Sequence, residues 1–89
     1  GEIMTTIRQI DIKEQNIRNQ VEKDLHDEPY LLTYKRVENL LDIGVTTRKN
    51  LIKSGDLVRY KNGNNMQSKV RITKPSVINV IVKWATAND

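Results

Sequence analysis

The residues best suited to chemistry are cations. Arg59, Lys61, Lys69 and Arg71 stand on either side of a turn-forming segment, NGNNMQS. Alternate residues of a strand share a face. If Leu57–Lys61 and Lys69–Thr73 are strands, Arg59 and Lys61 point away from Val58 and Tyr60, and Lys69 and Arg71 point away from Val70 and Ile72. This reading gives a hairpin with an apolar face and a face carrying four positive charges. Like charges opposed across strands are mildly destabilising, so a ligand of opposite sign would offset the cost. Asn62, Asn64 and Gln67 add amide groups near the tip. Such a set suits a phosphate backbone or the base edges of a groove. The bland alternative is a soluble loop whose charges meet only water.

A second polar group lies just upstream. In VTTRKNLIKS the outward helical positions are Thr46, Thr47, Lys49, Asn50 and Lys53. Asn can bond adenine through two atoms, and Lys can reach guanine or phosphate. The helix either specifies bases or only touches phosphate. Other chemistries find little support. His26 is the single histidine and sits among Asp24, Asp27 and Glu28, too few ligands of matching type for a metal. Tyr30, Tyr34 and Trp84 are too scattered for a base-stacking platform and are expected in the core. No glycine-rich phosphate loop, nucleophile–base pair or carboxylate dyad stands out. The expectation is a non-enzymatic protein without cofactor or metal.

Eighty-nine residues suffice for a modest core and leave no room for a deep cleft. The chain has no cysteine, which excludes disulfides and thiolate zinc sites and fits a reducing, cytoplasmic setting. No apolar run approaches membrane-spanning length, and no signal-peptide pattern opens the sequence. Abundant Ile, Asn and Lys with little Ala suggest an AT-rich bacterial or mobile-element genome. The net charge of +4 is unevenly spread. Residues 1–42 hold six Lys/Arg and nine Asp/Glu, whereas residues 43–89 hold nine Lys/Arg and two acids. A net −3 half is thus joined to a net +7 half, the footprint of a polyanion partner or simply a solvated surface.

Several elements must position these residues. Residues 2–10 read as an extended arm or short strand. Asp11 and Glu14 resemble a capping box, opening a helix whose stripe is Ile17, Val21 and Leu25 and which runs to about His26. Residues 26–29, HDEP, read as a linker because Pro29 disfavours helix at Glu28. Thr33 can cap a helix burying Val37, Leu40 and Leu41. After a break at Asp42–Gly44, a second helix runs from Val45 to about Lys53 with Leu51 and Ile52 inward, and Gly55 ends it. The hairpin follows, its turn signalled by Asn62-Gly63. Pro75 opens a last helix whose main face is Val77, Ile78, Ile81, Trp84 and Ala85. Its VINVIV run could equally be a strand, but the proline and the topology favour helix. Val80 and Val82 are surplus apolar surface calling for a second contact. The domains expected are 1–29, an arm plus acidic amphipathic helix, and 30–87, the remainder.

Helix, turn, helix, basic hairpin and helix compose a winged helix-turn-helix. Residues 31–63, LLTYKRVENLLDIGVTTRKNLIKSGDLVRYKNG, resemble the small excisionase and MerR-type DNA-binding domains, and KVRITKPSVINVIVKW resembles their second wing strand and closing helix. The expected fold is mainly α with a β-hairpin, a winged helix-turn-helix with an extra N-terminal helix. The resemblance implies a small residue midway along the first helix of the motif and an apolar one facing it. Here Glu38 and Arg48 occupy those positions, which predicts an ion pair, unless both side chains splay into solvent. Either arrangement makes Arg48 a poor base reader.

The implied role is double-stranded DNA binding, chiefly through the wing, by an accessory protein of a mobile genetic element. Excision, plasmid conjugation at a transfer origin and transcription regulation are all compatible, because one fold serves many roles. Expected partners are DNA, a recombinase, relaxase or other element-encoded protein, and a second copy in a weak homodimer. The competing reading is a protein-interaction module that uses the first and last helices.

Overall fold

The computed structural model describes residues 2–61 and 70–87, and for residues 2–11 the backbone alone. Four helices and a three-stranded antiparallel sheet follow in the order α1 (Glu2–Asp24), β1 (Leu31–Leu32), α2 (Tyr34–Leu41), α3 (Val45–Ser54), β2 (Arg59–Lys61), β3 (Val70–Thr73) and α4 (Lys74–Ala87). The sheet order is β1-β3-β2. The expected turn at Asn62-Gly63 and the residues Asn64, Gln67 and Lys69 lie outside the described residues.

The amino-terminal arm expected over residues 2–10 is instead the first part of α1, and Asp11 sits inside that helix rather than capping it. Ile3, Ile7, Ile10, Ile17 and Val21 fall three, four or seven apart. That one helical stripe outweighs the local signal of two adjacent threonines. The helix ends where Lys74 Nζ donates to the carbonyls of Leu25 (3.3 Å) and Glu28 (2.9 Å). A cation at a helix C-terminus meets both the unpaired carbonyls and the negative end of the dipole.

Thr33 caps α2 as expected, its Oγ1 accepting from the Arg36 amide at 3.1 Å. The break before α3 turns on Asp42, which takes the left-handed conformation (φ 54°), while Gly44 is ordinarily extended (φ −89°). Asp tolerates that region better than most residues. Gly55, at φ 89°, ends α3 in a conformation that suits glycine.

Two clusters share α4. Leu32, Val37, Leu41, Leu57, Ile72, Val77 and Val80 form the core between the sheet, α2 and α4. Val21 and Leu25 of α1 meet Ile78 and Val82 in the second. The expected main face of α4 is therefore corrected. Val77 and Val80 turn one way, Ile78 and Val82 another, and Ile81 packs against both clusters. The surplus of Val80 and Val82 is absorbed within the chain, with α1 supplying the second contact. Trp84 and Ala85 fall outside this face, and Trp84 is 37% exposed. Tyr30, also expected inside, is 61% exposed.

The hairpin geometry is corrected as well. Arg59 pairs with Ile72, Tyr60 with Arg71 and Lys61 with Val70, and directly paired residues point to the same side. Arg59 and Lys61 thus share a face with Ile72 and Val70, whereas Arg71 lies with Tyr60 on the opposite face. A slip of one residue in register exchanges faces. The burial of both Leu57 and Ile72 is what selects this one.

Two outcomes follow from the packing. Leu25→Ala at the α1–α4 seam destabilises by about 2–4 kcal/mol, whereas Ile12→Ala, at an exposed position, stays within about 0.5 kcal/mol; urea denaturation reads both. The second concerns Glu28, whose carboxyl is held below its ordinary value chiefly by the Arg36 hydrogen bond, with burial opposing and the charges of Arg36 and Lys74 assisting. A depressed carboxylate contributes stability above its unfolded-state pKa and loses it as pH falls through the folded one. Thermal melts should therefore show Glu28→Gln below wild type near neutral pH, with the two converging in acid.

Candidate nucleic-acid interface

The five outward residues expected on α3, Thr46, Thr47, Lys49, Asn50 and Lys53, are all exposed. Four-residue spacing sets Lys49 and Lys53 on one side of the helix. With Ile52, Tyr34, Arg48 and Arg59 they line a concavity of about 550 Å³ between α3 and β2. A second concavity of about 640 Å³ continues along β2 and β3, lined in part by Arg59, Lys61 and Val70. Arg59 and Ile52 border both, so the two concavities adjoin, a groove in two parts.

The register explains why the groove is basic. Leu57, Arg59 and Lys61 leave β2 and the residues before it on the same side. Leu57 is buried in the core, while Arg59 and Lys61 are exposed farther along the edge strand. The structure therefore brings Arg59 together with Lys49 and Lys53, sets Lys61 farther along in the adjoining concavity, and separates all four from Arg71. On the other face Arg71 is half-buried, donating through Nη1 to its neighbour's carbonyl at Val70 (3.2 Å), beside the exposed Tyr60 and Val58. Asn62, Asn64, Gln67 and Lys69, the remaining expected hairpin contacts, are outside the described residues.

The groove is marked by the clustering of its cations, since Lys23, Lys35, Arg71 and Lys74 elsewhere are equally without an acidic partner among the described residues. Arg18, Arg36 and Lys83 are paired with Glu14, Glu28 and Asp56. Lys49, Lys53, Arg59 and Lys61 have no acidic partner among the described residues. Four uncompensated cations along a groove with an apolar strip at Ile52 and Val70 make a surface attractive to a chain of anions. No group of three or more metal-binding side chains occurs among the described residues.

The expected ion pair is present. Arg48 Nε donates to Glu38 Oε2 at 2.8 Å, and the guanidinium lies 4.1 Å from the centroid of the Tyr34 ring. Sequence reasoning missed Tyr34 as part of this assembly. The signal was available: Tyr34 and Glu38 are four apart on α2 and so share a face. Whatever met Glu38 had to pass Tyr34. A guanidinium over an aromatic face adds attraction that strengthens as water is excluded.

Both side chains of the pair are largely covered, at 10% and 18% exposure. Removing one partner leaves the other charge poorly solvated. Glu38→Ala or Arg48→Val alone should therefore cost about 2–4 kcal/mol, toward the lower side of the range for a buried pair broken on one side. The Glu38→Ala/Arg48→Val double variant should cost less than either. Denaturant unfolding of the four proteins measures the coupling, and additive, near-neutral single changes would contradict the pairing.

Set beside known proteins, the chain stands alone: no family model, no curated protein and no solved structure matches it.

Proposed function

We propose that this chain is a winged helix-turn-helix protein that binds double-stranded DNA, acting as an accessory factor of a mobile genetic element. The reading is supported above all by the placing of Lys49 and Lys53 of α3 and Arg59 and Lys61 of β2 along two adjoining concavities, none of the four having an acidic partner among the described residues. In it, α2 and α3 are the helical pair, α3 lies toward the major groove, and the β2–β3 pair is the wing. Thr46, Thr47 and Asn50 face outward from α3, where Asn50 can address a base edge. Lys49, Lys53, Arg59 and Lys61 hold phosphates. In this reading the interface is a joint one, shared by α3 and the wing, which the placing of Arg59 and Arg71 on opposite faces of the β2–β3 pair supports. The acidic residues of α1 sit on a helix whose packing partner is α4, and the α1–α4 concavity shares no residue with the basic groove.

A second reading, a protein-docking module, has one observation in its favour. Leu40, Leu41, Ile81, Trp84 and Ala85 line an apolar concavity on the α2–α4 side. The two readings are compatible, since an accessory factor bound to DNA can also meet a second copy or an element-encoded recombinase or relaxase through this patch.

The deciding experiment is fluorescence anisotropy with duplex DNA from the protein's own locus across a salt series. Each phosphate contact contributes about 0.9 to the slope of log affinity against log salt. Arg59→Ala and Lys53→Ala should each lower that slope by about this amount, and Arg71→Ala should lower it less because Arg71 is on the other face. Asn50→Ala should narrow the preference for cognate over scrambled duplex with the slope unchanged. Absence of duplex binding even at low salt would end the DNA reading and leave the docking module.

A further inference from the structure

Arg48 is the most covered cation of the groove, at 8% exposure, and the ion pair with Glu38 does not use it fully. Its one side-chain hydrogen bond within the described chain is made through Nε. Every buried side-chain nitrogen and oxygen among the described residues has a partner. The two Nη atoms have none and are therefore not fully buried, and Arg48 is one of the residues lining the concavity with Lys49, Lys53 and Arg59. Glu38 holds the guanidinium at its inner edge and Tyr34 lies against its face. The Nη1–Nη2 end, which presents one N–H from each nitrogen as a parallel pair, is left without a partner among the described residues.

We propose that Arg48 is a preorganised phosphate ligand, its guanidinium fixed by Glu38 and Tyr34 so that the Nη pair bonds one phosphate of the bound nucleic acid. This rests on the DNA-binding reading and extends it to a residue whose inward position makes it a poor base reader. The physical case is one of entropy and geometry. Lys49 and Lys53 are exposed, flexible side chains that must be ordered on binding. Arg48 is already ordered, and its planar fork suits two phosphate oxygens at once. Glu38 compensates its charge, so Arg48 adds little to long-range attraction. Its contribution is a local contact at a set distance from α3, and the lysines and Arg59 supply the surrounding positive field.

The compensated charge allows a clean test. The Glu38→Leu/Arg48→Met variant removes one charge of each sign, leaves the net charge unchanged and keeps the volume of the pair. Circular dichroism establishes that it is folded before binding is measured on the duplex across the salt series. The expected result is affinity weaker on the order of tenfold, with a slope that falls by less than the ~0.9 of an uncompensated phosphate contact because Glu38 already balances Arg48. Wild-type slope and affinity in the folded double variant would overturn the proposal while leaving the DNA reading intact, provided Arg59→Ala still lowers the slope. A measurement on the unaltered chain covers the remaining cases. Side-chain NMR of ¹⁵N-labelled arginine follows Arg48 Nε and Nη during titration with inorganic tripolyphosphate. Saturable shifts at Arg48 support the anion site even if duplex binding fails, and unmoved Arg48 signals alongside shifting Arg59 signals overturn it.

Discussion

The burial of Leu57 and Ile72 on one side of the β2–β3 pair is the constraint on which the rest of the site depends. Both are almost entirely withdrawn from water, at 1% and 0% exposure, and together with Leu32 they form the sheet's contribution to the core. A strand has only two faces. Once Leu57 faces the core, Arg59 and Lys61 must leave on that side too, and once Ile72 does, Arg71 must leave on the other. The hydrophobic effect thus decides where the cations go. Because β2 is the edge strand, Arg59 and Lys61 can project beyond the apolar core, where Lys49 and Lys53 meet Arg59.

The relation between α3 and the rest of the domain depends on a different interaction. An apolar contact between α2 and α3 would hold the helices together without specifying the chemistry of their outer edge. Tyr34, Glu38 and Arg48 join the helices through a ring face, a carboxylate and a guanidinium. Such an assembly gains little net stability over an apolar pair. It does place a fixed cation at the base of the groove, with α4 and α1 buttressing the core from behind. Lys74 contributes to that buttress by tying the end of α1 to the start of α4.

Much of this was legible in the residues, for reasons that are local. Thr33, Gly55 and the three-to-four spacing of Val37, Leu40 and Leu41 specify α2 and the end of α3 without outside help. Glu38 and Arg48 were identifiable as partners because two helices joined by a short turn bring their facing positions together. The register of β2 against β3 was not legible, because alternation gives the two faces of each strand but not which face of one meets which face of the other. That choice depends on Leu57 and Ile72 reaching a common core built by distant elements. The length of α1 was hidden by a conflict between Thr5-Thr6 and the isoleucine stripe, resolved only by the wider pattern. The second face of α4 was visible as a surplus of valines, but its partner Val21–Leu25 lies more than fifty residues away in sequence.

In the proposed reading α3 and β2 form one binding surface and the α1–α4 seam lies outside it. Backbone ¹H–¹⁵N chemical-shift mapping of the labelled chain, titrated with duplex DNA from its own locus, tests this most directly. The account predicts the largest shifts along Thr46–Lys53 and Arg59–Lys61, with the amides of Arg18, Val21, Ile78 and Val82 nearly unmoved. Shifts concentrated on the α1–α4 seam or around Trp84, with α3 and β2 silent, would contradict it.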